Sequence, residues 1–151
     1  MPSKPSKSPI GYVNIRVFAH ATEDQERVMS AVRNMLPVEL GENAVFKKTT
    51  LNGHHGNPIT LIEVELADRQ LLLGLLRKIG SRLTALDKET LHSEMGLHLE
   101  KGNLYLRFDK QQAFLGEQRF SSTDPIHFKV HFRNKTTNDI IAICREAGLL
   151  P

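Results

Sequence analysis

The stretch GNLYLRFDKQQAFLGE (residues 102–117) alternates Leu104, Leu106 and Phe108 with Tyr105 and Arg107, then runs into Asp109, Lys110, Gln111 and Gln112. A phenol ring, a guanidinium, an ammonium and two amides at the end of one strand suit a flat, anionic ligand. Rings stack on nucleobases, cations neutralise phosphates, and amides reach base edges. The same residue types recur on two other runs. Residues 11–20 alternate Val13, Ile15, Val17 and Ala19 with Tyr12, Asn14, Arg16, Phe18 and His20. Residues 126–132 alternate Phe and Val with His127, Lys129 and His131, and Arg133 follows. If these three runs share one sheet, one face mixes aromatic rings with cations. Arg16, Phe18, His20, Tyr105, Arg107, Lys110, Gln111, Lys129, His131 and Arg133 are then candidate contacts to single-stranded or looped RNA. A merely solvated sheet face has the same composition, and the strand order decides between the two.

Other chemistries find less support. His54 and His55 stand in a turn-rich GHHGNP segment, where His54 and Asn57 are further candidate RNA contacts. Adjacent residues of an extended segment point opposite ways, so a metal shared by both rings is awkward. No HExxH motif and no paired CxxC occurs, and the loop lacks the GK[ST] of a phosphate loop. His127 and His131 share a strand face, which acid–base nuclease chemistry would need, but exposed sheet residues show the same spacing. Arg77, Lys78 and Arg82 fall on the polar side of a Leu-rich helix, as a solvated face or a second backbone contact. No catalytic residue, metal or cofactor is expected.

These residues need a scaffold. The chain has 151 residues, 40% hydrophobic and 25% charged, which fits one soluble globular domain. Residues 1–10 are expected to form a disordered basic tail and residues 11–151 a single domain. The net charge of +3 is weak support for an anionic partner, because Lys4 and Lys7 lie in that tail. No apolar run is long enough to span a bilayer, no secretory h-region opens the chain, and the lone Cys144 suits a cytoplasmic setting.

Periodicity predicts strands over residues 11–20, 44–51, 59–66, 97–100, 103–108 and 126–132. Helices are predicted from a Thr22–Gln25 capping box to about Leu36, and after Asp68 with Leu71, Leu72, Leu75, Leu76, Ile79 and Leu83 inward. Further helical pieces are predicted over residues 87–95 and 109–115 and after a Thr137 cap. Alternating strands bury one sheet face and leave the other open. The expected fold class is therefore α+β, a two-layer sandwich with a mostly antiparallel sheet and helices packed on one face.

Three stretches together, VFAHATEDQERVMSAVRNMLP (17–37), LNGHHGNPITLIEVEL (51–66) and the 102–132 region with DPIHFKVHF, resemble the archaeal RNA-binding protein family grouped as predicted exosome subunits. The similarity starts at about Gly11 and covers most of the chain. It implies a ribosomal-protein-like fold, similar to that of the ribosomal protein that binds the small five-S RNA. It also implies RNA binding without catalysis, and exosome or ribosome components as partners. The family pattern matches at His20, Glu23, Asp24, Gly53, Gly56, Asn57, Pro58, Asp109, Lys110, Gln111 and Gly116, several of which suit structural roles. The competing reading of the same open face is a protein-interaction surface that forms a homodimer or docks on a larger complex.

Overall fold

Strand β1 (Ile10–Ala19) is central to a six-stranded sheet with β2 (Lys47–Asn52), β3 (Pro58–Leu66), β4 (Leu99–Glu100), β5 (Asn103–Phe108) and β6 (Ile126–Phe132). The order is β2-β3-β1-β6-β5-β4, and every neighbouring pair is antiparallel. The computed structural model describes residues 8–53 and 56–151. Most of the expected tail, residues 1–7, and His54 and His55 lie outside the described residues.

Seven helices occur among the described residues: α1 (Gln25–Asn34), α2 (Val38–Asn43), α3 (Arg69–Arg82), α4 (Ala85–Ser93), α5 (Met95–His98), α6 (Lys110–Phe114) and α7 (Thr137–Glu146). The fold is the α+β two-layer sandwich expected from the alternation. Val28, Ala31, Val32 and Met35 from the first helical region, Leu72, Leu75, Leu76 and Ile79 from α3, and Ile140 and Cys144 from α7 meet the inner face of the sheet. That inner face carries Val13, Ile15, Val17, Leu104, Leu106, Phe108, Phe128, Val130 and Phe132, all buried. Phe108 meets Phe128 edge-on at 5.4 Å, a favoured aromatic geometry. No helix among the described residues is long and apolar enough to cross a membrane.

Local chemistry shifts several expected boundaries. Asp24, not Thr22, caps α1, accepting from Glu26 N at 2.9 Å, while Glu23 turns back onto His20 N at 3.0 Å. Thr136, one residue before the expected cap, forms a capping box with Asp139 on α7. Pro37 ends the first helical region and also opens α2, so the following strand starts at Lys47 rather than Ala44. Residues 97 and 98 belong to α5, which leaves only two residues to β4. The β4–β5 turn is the expected Lys101-Gly102, with φ of 51° and 81°, the left-handed pair that a two-residue hairpin demands. Ser8 and Pro9 are already tied in: Ser8 Oγ accepts from Ile10 N, and Pro9 O accepts from Arg133 N. Ile10 is fully buried at the start of β1.

Candidate nucleic-acid interface

The register of β1, β6 and β5 sets out the open face in three rows. His131 lies opposite Tyr12 and Asn103, Lys129 opposite Asn14 and Tyr105, and His127 opposite Arg16 and Arg107. Each inner-face residue between them is apolar, so the pleat turns every member of the rows outward.

Within the rows the side chains organise one another. The Tyr12 and His131 rings stack at 4.8 Å and 22°. His131 Nδ1 donates to Asn103 Oδ1 at 2.8 Å, which fixes the ring plane. Lys129 Nζ lies 5.7 Å from the Tyr12 ring centroid, within cation–π range. Tyr105 stacks on His127 at 5.7 Å and 29°. Burial, and then the Arg107 and Arg16 guanidinium groups, hold the His127 pKa below its ordinary 6.5. His127 is therefore a neutral ring at neutral pH, suited to stacking, while Arg107 and Lys129 carry the charge.

The same face changes character on β3. Glu63 lies opposite Arg16 and Glu65 opposite Asn14. Arg16 Nε is 3.4 Å from Glu63 Oε2. Phe18, 39% exposed, lies opposite Leu61, and Leu51 of β2 is 41% exposed. The cation-and-ring half of the face is thus bounded by two carboxylates, beyond which lie the exposed Leu51 and, opposite Glu63, the exposed Lys47 of β2.

Several candidates lie elsewhere. Lys110 sits in α6 at 7% exposure, and its ammonium donates to Phe18 O (2.9 Å), Glu23 Oε1 (2.9 Å) and Asp124 Oδ2 (2.8 Å). Three acceptors use its three N–H donors. The expected phosphate contact is instead an internal tie between β1, the turn before α1 and the loop before β6. His20 Nε2 joins it, 3.0 Å from Asp124 Oδ2. The donor atoms of His20, Glu23 and Asp124 lie within 4.8 Å of one another, a spacing a metal ion could bridge, but the Lys110 ammonium already links the two carboxylates. Asp109 caps α6 itself, accepting from Gln112 N at 2.8 Å, so no anion is needed there. Gln111 is exposed on the helix side, beside Thr22 and Arg27.

Asn57 is exposed on the β2–β3 hairpin, where its carbonyl accepts from Gly53 N at 2.7 Å. His54 lies outside the described residues. Arg133 is half-buried just beyond β6 and packs over Gly11. Two of the basic residues on α3 serve the fold: Lys78 Nζ and Arg82 Nη1 donate to Leu36 O and Asn34 O at the end of the first helical region, where cations complement the negative end of the helix dipole. Asn103 is a face residue that sequence reading missed, although its place two before Tyr105 put it on the same side.

A basic, aromatic open face on an antiparallel sheet backed by helices defines a class of nucleic-acid-binding α+β proteins. A family model described as RNA binding matches residues 12–132, and the chain belongs to that family. It is 35% identical over 122 residues to the RNA-binding protein PAB1135 of Pyrococcus abyssi, covering 78% of this chain and 79% of that one. The crystal structure of protein AF2318 from Archaeglobus fulgidus is similar at a TM-score of 0.76 and 27% identity, over 91% of this chain and 99% of that one. Mth689 from Methanothermobacter thermautotrophicus is similar at a TM-score of 0.73 and 28% identity, over 94% and 98%.

Proposed function

We propose that the chain is a non-catalytic, cytoplasmic RNA-binding protein that engages unpaired or looped RNA across β1, β6 and β5, as an accessory to RNA processing and degradation or to ribosome-related work. The observation that carries this reading is the three-row face, where Tyr12, Tyr105 and the His127 and His131 rings alternate with Lys129, Arg107 and Arg16. Stacking on such rings contributes roughly 1–3 kcal/mol per base, and the cations supply the phosphate term. A non-catalytic role is the one that family resemblance implies. Exosome or ribosome components are the partners implied by family resemblance.

The test is fluorescence anisotropy of an unstructured RNA and a structured hairpin across a salt series. Binding should weaken with salt at a slope of roughly 0.7 per phosphate for single strands. Tyr105→Ala combined with Arg107→Ala should cost at least about tenfold in a folded protein. No binding of either RNA at low salt would sink the reading. The exposed Phe18 and Leu51 beside the face favour a second reading, a homodimer or docking surface. Light scattering at low and raised salt separates the two, since a stable dimer through this face would cover Tyr12 and Tyr105.

A further inference from the structure

Beside the open face, the edge of β5 is incompletely covered. β4 pairs with it at Asn103 and Leu104, and the 119–121 segment pairs with it around Phe108. Between these pairings lies a cavity of about 410 Å³, within the roughly 300–1,000 Å³ typical of small-ligand sites. Leu91 and Leu97 line it from the helix side, Phe120 lines it too, and Tyr105 and Arg107 form the wall shared with the open face. His98 Nδ1 is 2.9 Å from Tyr105 O, which holds its ring against the strand.

We propose that this cavity takes the base of one unpaired nucleotide from the bound RNA, with that nucleotide's phosphate on Arg107. The inference rests on the RNA-binding reading and adds where a base is read. Continuity is its first support, because Tyr105 stacks on His127 of the open face while lining the cavity. A chain crossing the rows meets the cavity without leaving β5. Charge is the second. Glu94 also lines the cavity, 3.9 Å from His98 Nε2. That carboxylate repels a phosphate inside, whereas Arg107 attracts one at the mouth. A neutral ring with apolar faces fits the walls, and its amino edge can donate to Glu94. The cavity therefore favours adenine, cytosine or guanine, which present an exocyclic amine, over uracil.

The experiment uses the full chain and hairpin RNAs with a single-stranded loop, each paired with versions in which one loop nucleotide is abasic or replaced by uridine. For wild type, one loop position should lose at least about fivefold in affinity when abasic, the lower end of one stacked base. That position should also rank adenine, cytosine or guanine above uracil. Thr90→Trp and Ser122→Trp, each placing an indole at the cavity rim, should bind the intact loop only as wild type binds the abasic one, with the salt slope unchanged. Leu86→Trp, exposed on the same helix outside the cavity, should behave as wild type, and melting curves verify that all three fold. If the rim variants keep wild-type affinity while Tyr105→Ala with Arg107→Ala loses it, the cavity proposal fails and the open-face reading stands. If wild type binds no RNA at low salt, both fail.

Discussion

Lys110 Nζ lies within 2.9 Å of a carbonyl and two carboxylates, whereas Lys129 Nζ rests 5.7 Å from the centre of the Tyr12 ring on the open face. One ammonium holds the fold and the other is available to a ligand, so their removal should have opposite signatures. Lys110→Met leaves Glu23 and Asp124 facing each other without a cation. It should cost about 3 kcal/mol, or roughly 6–12 °C in Tm for a chain of this size, and leave the folded protein's RNA affinity unchanged. Lys129→Ala should leave Tm within about 2 °C and reduce the salt slope of RNA binding by roughly 0.7. Thermal melts and anisotropy on the two variants check both halves, and an affinity loss in Lys110→Met without a stability loss would reverse the assignment. His127 gives a pH signature. Its folded pKa lies below the ordinary 6.5, first through burial and then through Arg107 and Arg16. The unfolded chain therefore takes up a proton that the folded one resists. Stability from the neutral ring is complete above pH 6.5 and is lost as pH falls through that value toward the folded pKa. Melts between pH 5 and pH 8 should show His127→Gln losing less stability on the acid side than wild type.

At the scale of elements, register decides what the face contains. β1 pairs with β6 through a shift between Ile10 and Tyr12, so Ile10 is buried while Tyr12, two residues on, faces outward. A regular strand would put both on one side. Gly11 absorbs the irregularity, and a Cβ there would come within 2.9 Å of Arg133 Cγ. Period-two alternation made β1, β5 and β6 legible in the sequence, together with the side each residue faces. It could not say which strands are neighbours, because alternation carries no information about pairing partners. The Lys110 tie was illegible for the same reason: Glu23 is 87 residues away, and only the fold brings it close. The helix caps slipped by one or two residues where more than one nearby residue caps well, as Thr22 and Asp24 do. The six residues of α2 are too few to display a helical period. The packing of α3 against the end of α7 was also hidden. A Cβ on Gly80 would lie 2.6 Å from Ala147 O and from Gly148 C, backbone atoms that cannot swing aside. Gly80→Ala should therefore destabilise by about 2–3 kcal/mol despite the better helix propensity of alanine. Urea denaturation would check this, and a neutral or stabilising result would mean that the two helices separate freely.

Across the whole molecule, the formal charge of +3 says less than its division over one sheet face. Cations and rings occupy β1, β6 and β5, while Glu63 and Glu65 line β3 beside them. An RNA strand on the first three strands therefore lies next to two carboxylates that repel it, one of which also competes for Arg16 at 3.4 Å. On the proposed reading, this arrangement would confine the polyanion to one half of the face and direct it toward β5 and its cavity. Removing the boundary should tighten binding and loosen position. Glu63→Gln with Glu65→Gln should raise RNA affinity about three- to tenfold at low salt. The estimate combines weak Coulomb repulsion across the surface with an exposed ion pair worth at most about 1 kcal/mol. The gain should fade as added salt shortens the screening length below the separation of the groups. Tm should barely move, because the lost ion pair is half-exposed and long, at 3.4 Å. The same variant should depend less on which loop position carries a base, since the strand is no longer held against β5. Unchanged low-salt affinity would mean that the RNA does not run alongside β3, and the footprint would then have to be narrower than the three rows.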